Sequence, residues 1–188
     1  MELIGLYLVG CALLILAGAA KMIRPGDTAR ALSAVLPLPL VRTLPLVRTT
    51  RLVRVGATAE AALGVIALAY PRTWAAGLVA LSYAAFATFV LLARAKGGPI
   101  ASCGCFGTPD TPATLLHVVI NVGLALAAIV VAVAAPSGTI VSVLSAQPLH
   151  GLPLVLVSAL CIWLTFLAIS VLGALQAARR LVGINFRS

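Results

Sequence analysis

Two cysteines in a short glycine-rich stretch are the residues of this 188-residue chain whose spacing most clearly supports chemistry. Cys103 and Cys105 flank one glycine within residues 97–110, which read GGPIASCGCFGTPD. Two thiols at this spacing can close a small disulfide ring, and strain in such a ring favours easy reduction. The same soft thiolates can bind Cu(I), or Zn(II) with further ligands. The spacing therefore fits a redox-active pair, a soft-metal site, or two unpaired cysteines in a tight turn.

The rest of the sequence is too apolar for a protein that folds in water. Hydrophobic residues make up 62% of the chain and charged residues 9%, and the mean hydropathy is +1.17. Soluble domains carry about 25% charged residues, so this composition excludes a soluble enzyme, a disordered chain and a disulfide-rich secreted module. It indicates an integral membrane protein in contact with a lipid bilayer. The net charge of +9 is interpreted as anchoring at the membrane face and not as a nucleic-acid site.

Five apolar runs predict helices that cross the membrane, whose hydrocarbon core is about 30 Å thick. They cover residues 3–20, 55–70, 73–93, 113–135 and 154–178. The second run is short and contains Glu60, so we expect its helix to extend further. Residues 31–47 are apolar but include three prolines and one arginine, which favours an interfacial segment or a re-entrant turn. Small residues favour close packing between helices, namely Gly56, Ala57, Ala61, Gly64 and Ala76.

The predicted fold is an all-α, polytopic membrane helix bundle with a four-helix core and a C-terminal fifth span. Residues 1–135 form the core and carry the Cys-Gly-Cys loop at 97–112, residues 136–152 form a loop, and residues 153–188 form the last transmembrane helix and a basic tail. Of the 13 Lys and Arg residues, all but Arg72 fall on one side of this topology. The positive-inside rule then predicts a multi-pass plasma-membrane protein with its N-terminus outside and its C-terminus inside.

Three polar residues within the spans are expected on the side of the membrane that holds the cysteine loop. Glu60 and Asn121 lie about 9–12 Å inside their helices at 1.5 Å per residue, and His117 lies one turn before Asn121. Glu60, paired with Lys21 or Asn121, either positions a proton near the thiols or locks helix packing. Histidine has an unperturbed pKa near neutrality, so His117 either relays protons or begins its helix at the interface. Asn121 either assists in proton handling or bonds neighbouring helices.

The two remaining cysteines do not form a second redox pair in this topology. Cys11 and Cys161 fall inside the first and last spans, where an unpaired cysteine behaves as a small apolar residue. An internal relay between two dithiols is therefore not expected. Electrons from Cys103 and Cys105 must pass to another protein or to a small redox carrier.

Four segments together match the pattern of a known membrane protein family. They are Ala17-Gly-Ala-Ala-Lys-Met-Ile-Arg-Pro25, Glu60-Ala-Ala-Leu-Gly64, Arg94-Ala-Lys-Gly-Gly98 and Cys103-Gly-Cys-Phe-Gly107. In these segments the chain resembles the methylamine-utilisation MauE family, part of the wider DoxX-like group, over about residues 1–135. Asn121 matches the second residue of an Arg-Asn pair in that family. Ile120 replaces the arginine, so His117 would have to take the place of its guanidinium.

The resemblance implies a membrane redox accessory protein that acts with a thioredoxin-like partner. MauE proteins are associated with maturation of methylamine dehydrogenase, whose small subunit contains many disulfides. By this resemblance Cys103 and Cys105 cycle between dithiol and disulfide, as in a membrane thiol-disulfide oxidoreductase, and support disulfide formation in a client protein. Glu60, His117 and Asn121 would manage the protons. A membrane quinone is a candidate carrier, and the sequence assigns no other cofactor.

Two alternatives and one conflict stay open from the sequence alone. The same thiolates would serve a soft-metal binding or transport protein, and a structural assembly factor would carry them incidentally. Disulfides of secreted clients form outside the cytoplasm, whereas the charge count puts the cysteine loop inside. Either residues 31–47 insert and reverse the later spans, or the protein acts on cytoplasmic thiols, or the loop folds back and reaches a carrier within the membrane.

Overall fold

The computed structural model describes residues 3–35, 46–95, 115–134, 138–165 and 167–168, and within these ranges the regular structure is helical. The helices are α1 (Ile4–Ile23), α2 (Pro25–Val35), α3 (Leu46–Ala69), α4 (Thr73–Ala95), α5 (Leu115–Ala134), α6 (Ile140–Ser145), a 3₁₀ turn (Pro148–Gly151) and α7 (Leu152–Thr165). Helices α1, α3, α4 and α5 are each long and apolar enough to cross a membrane. The predicted all-α polytopic bundle is therefore confirmed. Helix α7 is a shorter apolar helix that overlaps the predicted fifth span of residues 154–178, and that span stays a prediction because residues 169–178 lie outside the described residues.

Helices α1 and α3 form one of the two most extensive contacts in the bundle. The Tyr7 hydroxyl near the start of α1 donates to the carbonyl oxygen of Ala67 near the end of α3, at 3.1 Å, which shows that the two helices run antiparallel. A methyl group at Gly18 would lie 2.7 Å from the carbonyl oxygen of Ala57. One at Gly64 would lie 2.9 Å from the carbonyl oxygen of Cys11. The two backbones approach this closely because glycine carries no side chain at either crossing point.

Helices α4 and α5 form the other extensive contact, and this pair closes against α1. Both helices bury several alanines, which leave room for close packing: Ala75, Ala76, Ala80 and Ala87 on α4, and Ala125, Ala127 and Ala128 on α5. The hydroxyl of Tyr83 on α4 donates to the carbonyl oxygen of Gly10 on α1, at 2.6 Å. A helix carbonyl can accept this second bond without losing its own helical partner, so the contact holds α4 to α1 without breaking either helix.

The expected extension of the second span occurs at its N-terminal end. Helix α3 begins at Leu46, and its membrane-spanning candidate segment begins at Arg48. Arg48, Arg51 and Arg54 follow at intervals of three, so these exposed side chains share one side of the helix and leave its other side free to pack.

Two details of the connecting region and of the packing differ from expectation. Residues 25–35 form helix α2, with Ala29 and Val35 buried, where the sequence suggested only a connection. Of the remaining residues 31–47, residues 36–45 lie outside the described residues. Of the small residues expected at helix contacts, the expectation for Gly56 is wrong, because this residue is exposed and a methyl group there would meet nothing within 4 Å.

Replacing Gly64 by alanine tests the close crossing of α1 and α3. The added methyl group would lie 2.7 Å from Ile15 Cγ1 and 2.9 Å from a backbone oxygen, so Gly64→Ala is expected to lower the free energy of unfolding by about 1–3 kcal/mol. The measurement is thermal unfolding of the purified protein in detergent micelles. Gly56→Ala on the same helix is the control and should keep or slightly raise stability. Equal melting of both variants would contradict the close crossing.

Candidate functional site

A buried ion pair joins α1 to α3 near the end of the bundle where α4 ends and α5 begins. Lys21 lies in the last turn of α1, and its Nζ atom is 2.6 Å from Oε2 of Glu60 on α3. The two side chains are 9% and 22% exposed. Of the two partners expected for Glu60, the structure selects Lys21. Two opposite charges at this distance form a charge-assisted hydrogen bond, which offsets part of the cost of removing both from water.

Aromatic rings on α4 hold the lysine from its other side. The Nζ atom of Lys21 lies 4.4 Å from the ring centroid of Phe86, which is within the range of a cation–π contact. The ring of Tyr83 packs edge-on against Phe86, with centroids 5.9 Å apart and planes at 88°. Because Tyr83 is also bonded to the backbone of α1, the ammonium group is fixed by contacts from α3 and α4 as well as by its own helix.

A cleft of about 50 Å³ lies between α1, α4 and α5 beside this lysine. Its apolar walls include Leu13, Leu14, Ile120 and Leu124, and its polar lining comes from Lys21, Tyr83, His117 and Asn121. One water molecule needs about 10–15 Å³ of such space, so the cleft has room for a few waters or one small polar group. It offers a cation and three further polar side chains in otherwise apolar surroundings.

The structure brings two of the three polar residues singled out in the spans into this cleft. His117 is 3% exposed in the first turn of α5. The Asn121 amide donates to the carbonyl oxygen of His117 at 2.7 Å, a bond within α5 that fixes the side chain along its own helix. Glu60 is not among the residues that line the cleft, and it reaches the cleft through its bond to Lys21.

The paired cysteines Cys103 and Cys105 lie outside the described residues. The chain that carries them, residues 96–114, joins Ala95 at the end of α4 to Leu115 at the start of α5, and His117 follows two residues later. Cys11 is fully buried in α1, and Cys161 is half-buried in α7. Among the residues that the structure describes, no group of three or more His, Cys, Asp or Glu side chains is placed to hold a metal ion.

The sequence predicts Lys21 as a candidate partner of Glu60 but does not predict the burial of this lysine, and it does not identify Phe86 as part of the site. In the structure Lys21 belongs to the last turn of α1 and is 7% exposed. A signal was present for the aromatic contact, since Tyr83 and Phe86 are three residues apart and therefore neighbours on one face of α4.

The four long apolar helices and the charged pair between them define a polytopic integral membrane protein with a polar site inside its bundle. The family model described as methylamine utilisation protein MauE matches residues 2–134, which end at the last residue of α5. The chain belongs to that family, and the resemblance found in the sequence is confirmed. No curated protein and no solved structure shows a significant match to the chain.

The contribution of the ion pair to the free energy of unfolding can be measured by comparing a variant that removes one charge with a variant that removes both. Glu60→Gln removes the counter-charge of a buried ammonium group, so we expect it to lower the free energy of unfolding by about 3–5 kcal/mol. The double variant Lys21→Met/Glu60→Gln should recover most of that loss. Asp27→Asn is the control, because its partner Arg30 is 70% exposed and such pairs contribute less than about 1 kcal/mol. Denaturant unfolding in micelles gives the values, and equal losses for Glu60→Gln and Asp27→Asn would contradict a stabilising role for Glu60 beside a buried ammonium group.

Proposed function

We propose that this membrane protein exchanges electrons with a thioredoxin-like partner through Cys103 and Cys105, in support of disulfide formation or maturation of a client protein. Membership of the MauE family is the observation that carries the proposal. It is supported by the position of the cysteine pair in the segment that joins α4 to α5. Both ends of that segment adjoin the bundle end at which Lys21, His117 and Asn121 line a polar cleft.

The exchange proceeds through a mixed disulfide. The thiolate of one cysteine of the pair attacks a sulfur of the partner's disulfide, and the partner's other sulfur leaves as a thiolate. The second cysteine attacks the mixed disulfide, which closes the Cys103–Cys105 bond and releases the partner as a dithiol. Two electrons and the two thiol protons pass from this protein to the partner. The reverse direction oxidises the partner by the same steps.

Disulfide formation in a client requires the reverse direction and an electron acceptor. The partner dithiol reduces the Cys103–Cys105 disulfide, and a lipid-soluble quinone accepts the two electrons and two protons from the resulting dithiol. The disulfide is thereby restored and the quinone becomes a quinol. The apolar surface of the four long helices gives such a carrier access from the bilayer.

Residues of the buried site manage the protons in this proposal. The Lys21 ammonium favours a thiolate over a thiol nearby, and Glu60 holds that ammonium in place. His117 accepts the proton that leaves the attacking thiol, because an imidazole exchanges protons readily near neutral pH. Asn121, bonded to the backbone at His117, orients the start of α5.

The proposed setting is the plasma membrane, with the N-terminus outside and the C-terminus inside. The charge asymmetry supports this orientation: of the eight described Lys and Arg residues, Arg72 lies at the opposite end, whereas the ends of helices on the cysteine-loop side carry Lys21, Arg24, Arg48, Arg51, Arg54 and Arg94. In this orientation the pair exchanges electrons with a cytoplasmic partner, or reaches the membrane carrier from that side.

Thiol labelling of Cys103 and Cys105 in intact and lysed cells tests the redox cycle. In a Cys11→Ala/Cys161→Ala background, only the pair can react with a membrane-impermeant maleimide. We expect labelling to rise after mild reduction and to occur only after lysis, because the pair rests as a disulfide on the inner face. Labelling in intact cells after reduction would keep the redox cycle but overturn the orientation.

Trapping of the partner supplies the second part of that test. Cys103→Ser and Cys105→Ser variants, made singly, should each leave one thiol, and one of them should accumulate a mixed disulfide with a thioredoxin-like protein. The double variant is the control and should trap nothing. Equal labelling with and without reductant, no trapped partner, and stoichiometric Cu(I) or Zn(II) binding lost in the double variant would replace the redox proposal with metal binding.

The role of His117 is tested through the pH dependence of the exchange. His117→Asn is expected to slow thiol oxidation near neutral pH by about a hundredfold and to flatten the fall in rate below about pH 6.5, where the imidazole becomes protonated and can no longer accept a proton. Stopped-flow kinetics of the purified protein with an oxidised thioredoxin gives the rates. Val118→Ala, in the same buried turn, is the control and should leave the shape of the profile unchanged. A His117→Asn profile of unaltered shape would contradict proton transfer by this residue.

A further inference from the structure

Four exposed arginines cluster around the end of the bundle that holds the ion pair. Arg24 ends α1, and Arg48, Arg51 and Arg54 lie in the first part of α3. The Thr58 hydroxyl of α3 contacts the Met22 sulfur of α1 at 3.2 Å, and Thr58 also bonds the carbonyl oxygen of Arg54 one turn earlier. This register puts the end of α1 beside the side of α3 that carries Arg51 and Arg54.

The positive charge of this cluster is not neutralised by the described part of the chain. Only two carboxylates fall within the described residues, and each is bound to another cation. Glu60 pairs with Lys21, and Asp27 pairs with Arg30 in α2. The four arginines therefore carry charge that a ligand from outside the chain can compensate. Among the described residues, Arg72 is the exposed arginine at the opposite end of the bundle.

The length of α3 brings these arginines within reach of lipid headgroups. Its 24 residues extend for about 36 Å at 1.5 Å per residue, against a hydrocarbon core of about 30 Å. The surplus length of α3 lies at its N-terminal end. The start of α1 and the end of α3 are level, as the Tyr7–Ala67 bond shows, whereas the end of α1 lies beside Thr58, so the first turns of α3 extend beyond α1. The first turn of α3, with Arg48, therefore enters the headgroup layer, where phosphate groups are abundant. Arg51 and Arg54 lie one and two turns further in, and their long exposed side chains can extend toward that layer.

We propose that Arg24, Arg48, Arg51 and Arg54 form a binding site for the headgroups of anionic phospholipids. A guanidinium group binds phosphate through two parallel hydrogen bonds, which a lysine ammonium cannot form. Exposed arginines within reach of the headgroups favour a lipid over a soluble acidic partner, because the lipid phosphates are present there at high local concentration. Binding there stabilises the protein and biases its distribution toward acidic membranes, independently of any reaction of the cysteines.

Native mass spectrometry of the full chain tests the site. The protein is released from nanodiscs that contain either phosphatidylglycerol or phosphatidylcholine, and retained lipid adducts are counted. We expect phosphatidylglycerol to be retained in preference, and its apparent affinity to fall about fivefold for Arg54→Gln and about 25-fold for Arg51→Gln/Arg54→Gln. Arg72→Gln removes the same charge as Arg54→Gln at the opposite end and should leave affinity unchanged.

The comparison of lipids in the unaltered chain keeps the test decisive where a variant fails to fold. Equal retention of the two lipids by the unaltered protein would overturn the proposal, and so would equal losses for Arg54→Gln and Arg72→Gln. An acidic peptide or an oligonucleotide that binds the arginines in phosphatidylglycerol nanodiscs without loss of the lipid adducts would also overturn it, since the arginines would then serve another class of partner.

Discussion

The Lys21–Glu60 ion pair constrains most of what surrounds it. Charged groups within a lipid-embedded bundle are costly, and the cost is offset only when the partners meet at hydrogen-bonding distance. The 2.6 Å contact links α1 to α3, and the two backbones also approach closely on either side of it. Gly18 and Gly64 permit that approach, because a Cβ atom at either position would lie within 3 Å of a backbone atom of the other helix. The charge pair and the glycines are therefore parts of one arrangement.

The same lysine links this helix pair to the other one. Its ammonium group lies over Phe86 of α4, and Tyr83 on that helix is bonded to the backbone of α1. The cleft beside it is completed by His117 and Asn121 from α5. All four long helices thus contribute to one polar region in an otherwise apolar bundle. Because the segment with Cys103 and Cys105 joins α4 to α5 at this end, the polar region and the proposed thiol chemistry are neighbours in the chain.

The distribution of the acidic residues gives the protein two kinds of positive charge. Glu60 and Asp27 both form ion pairs, Glu60 with Lys21 inside the bundle and Asp27 with Arg30 on α2. The cation at the site is therefore held and buried, whereas Arg48, Arg51 and Arg54 are exposed and uncompensated among the described residues. The first kind suits work on a reacting group, and the second suits contact with the membrane surface. Their separation follows from the small number of carboxylates in the chain.

Length, composition and apolar runs by themselves determined the class of protein and the spans that became α1, α3, α4 and α5, and four short motif segments indicated the family. They also singled out Glu60, since a carboxylate within an apolar run stands out in any sequence. The sequence did not determine that Lys21 is buried, that Phe86 lies against it, or that Gly18 is a crossing point while Gly56 is not. In water, the buried side of a helix is apolar and the exposed side polar, so periodicity reveals which side packs. In lipid both sides are apolar, so only the tertiary structure decided which residues face the bundle.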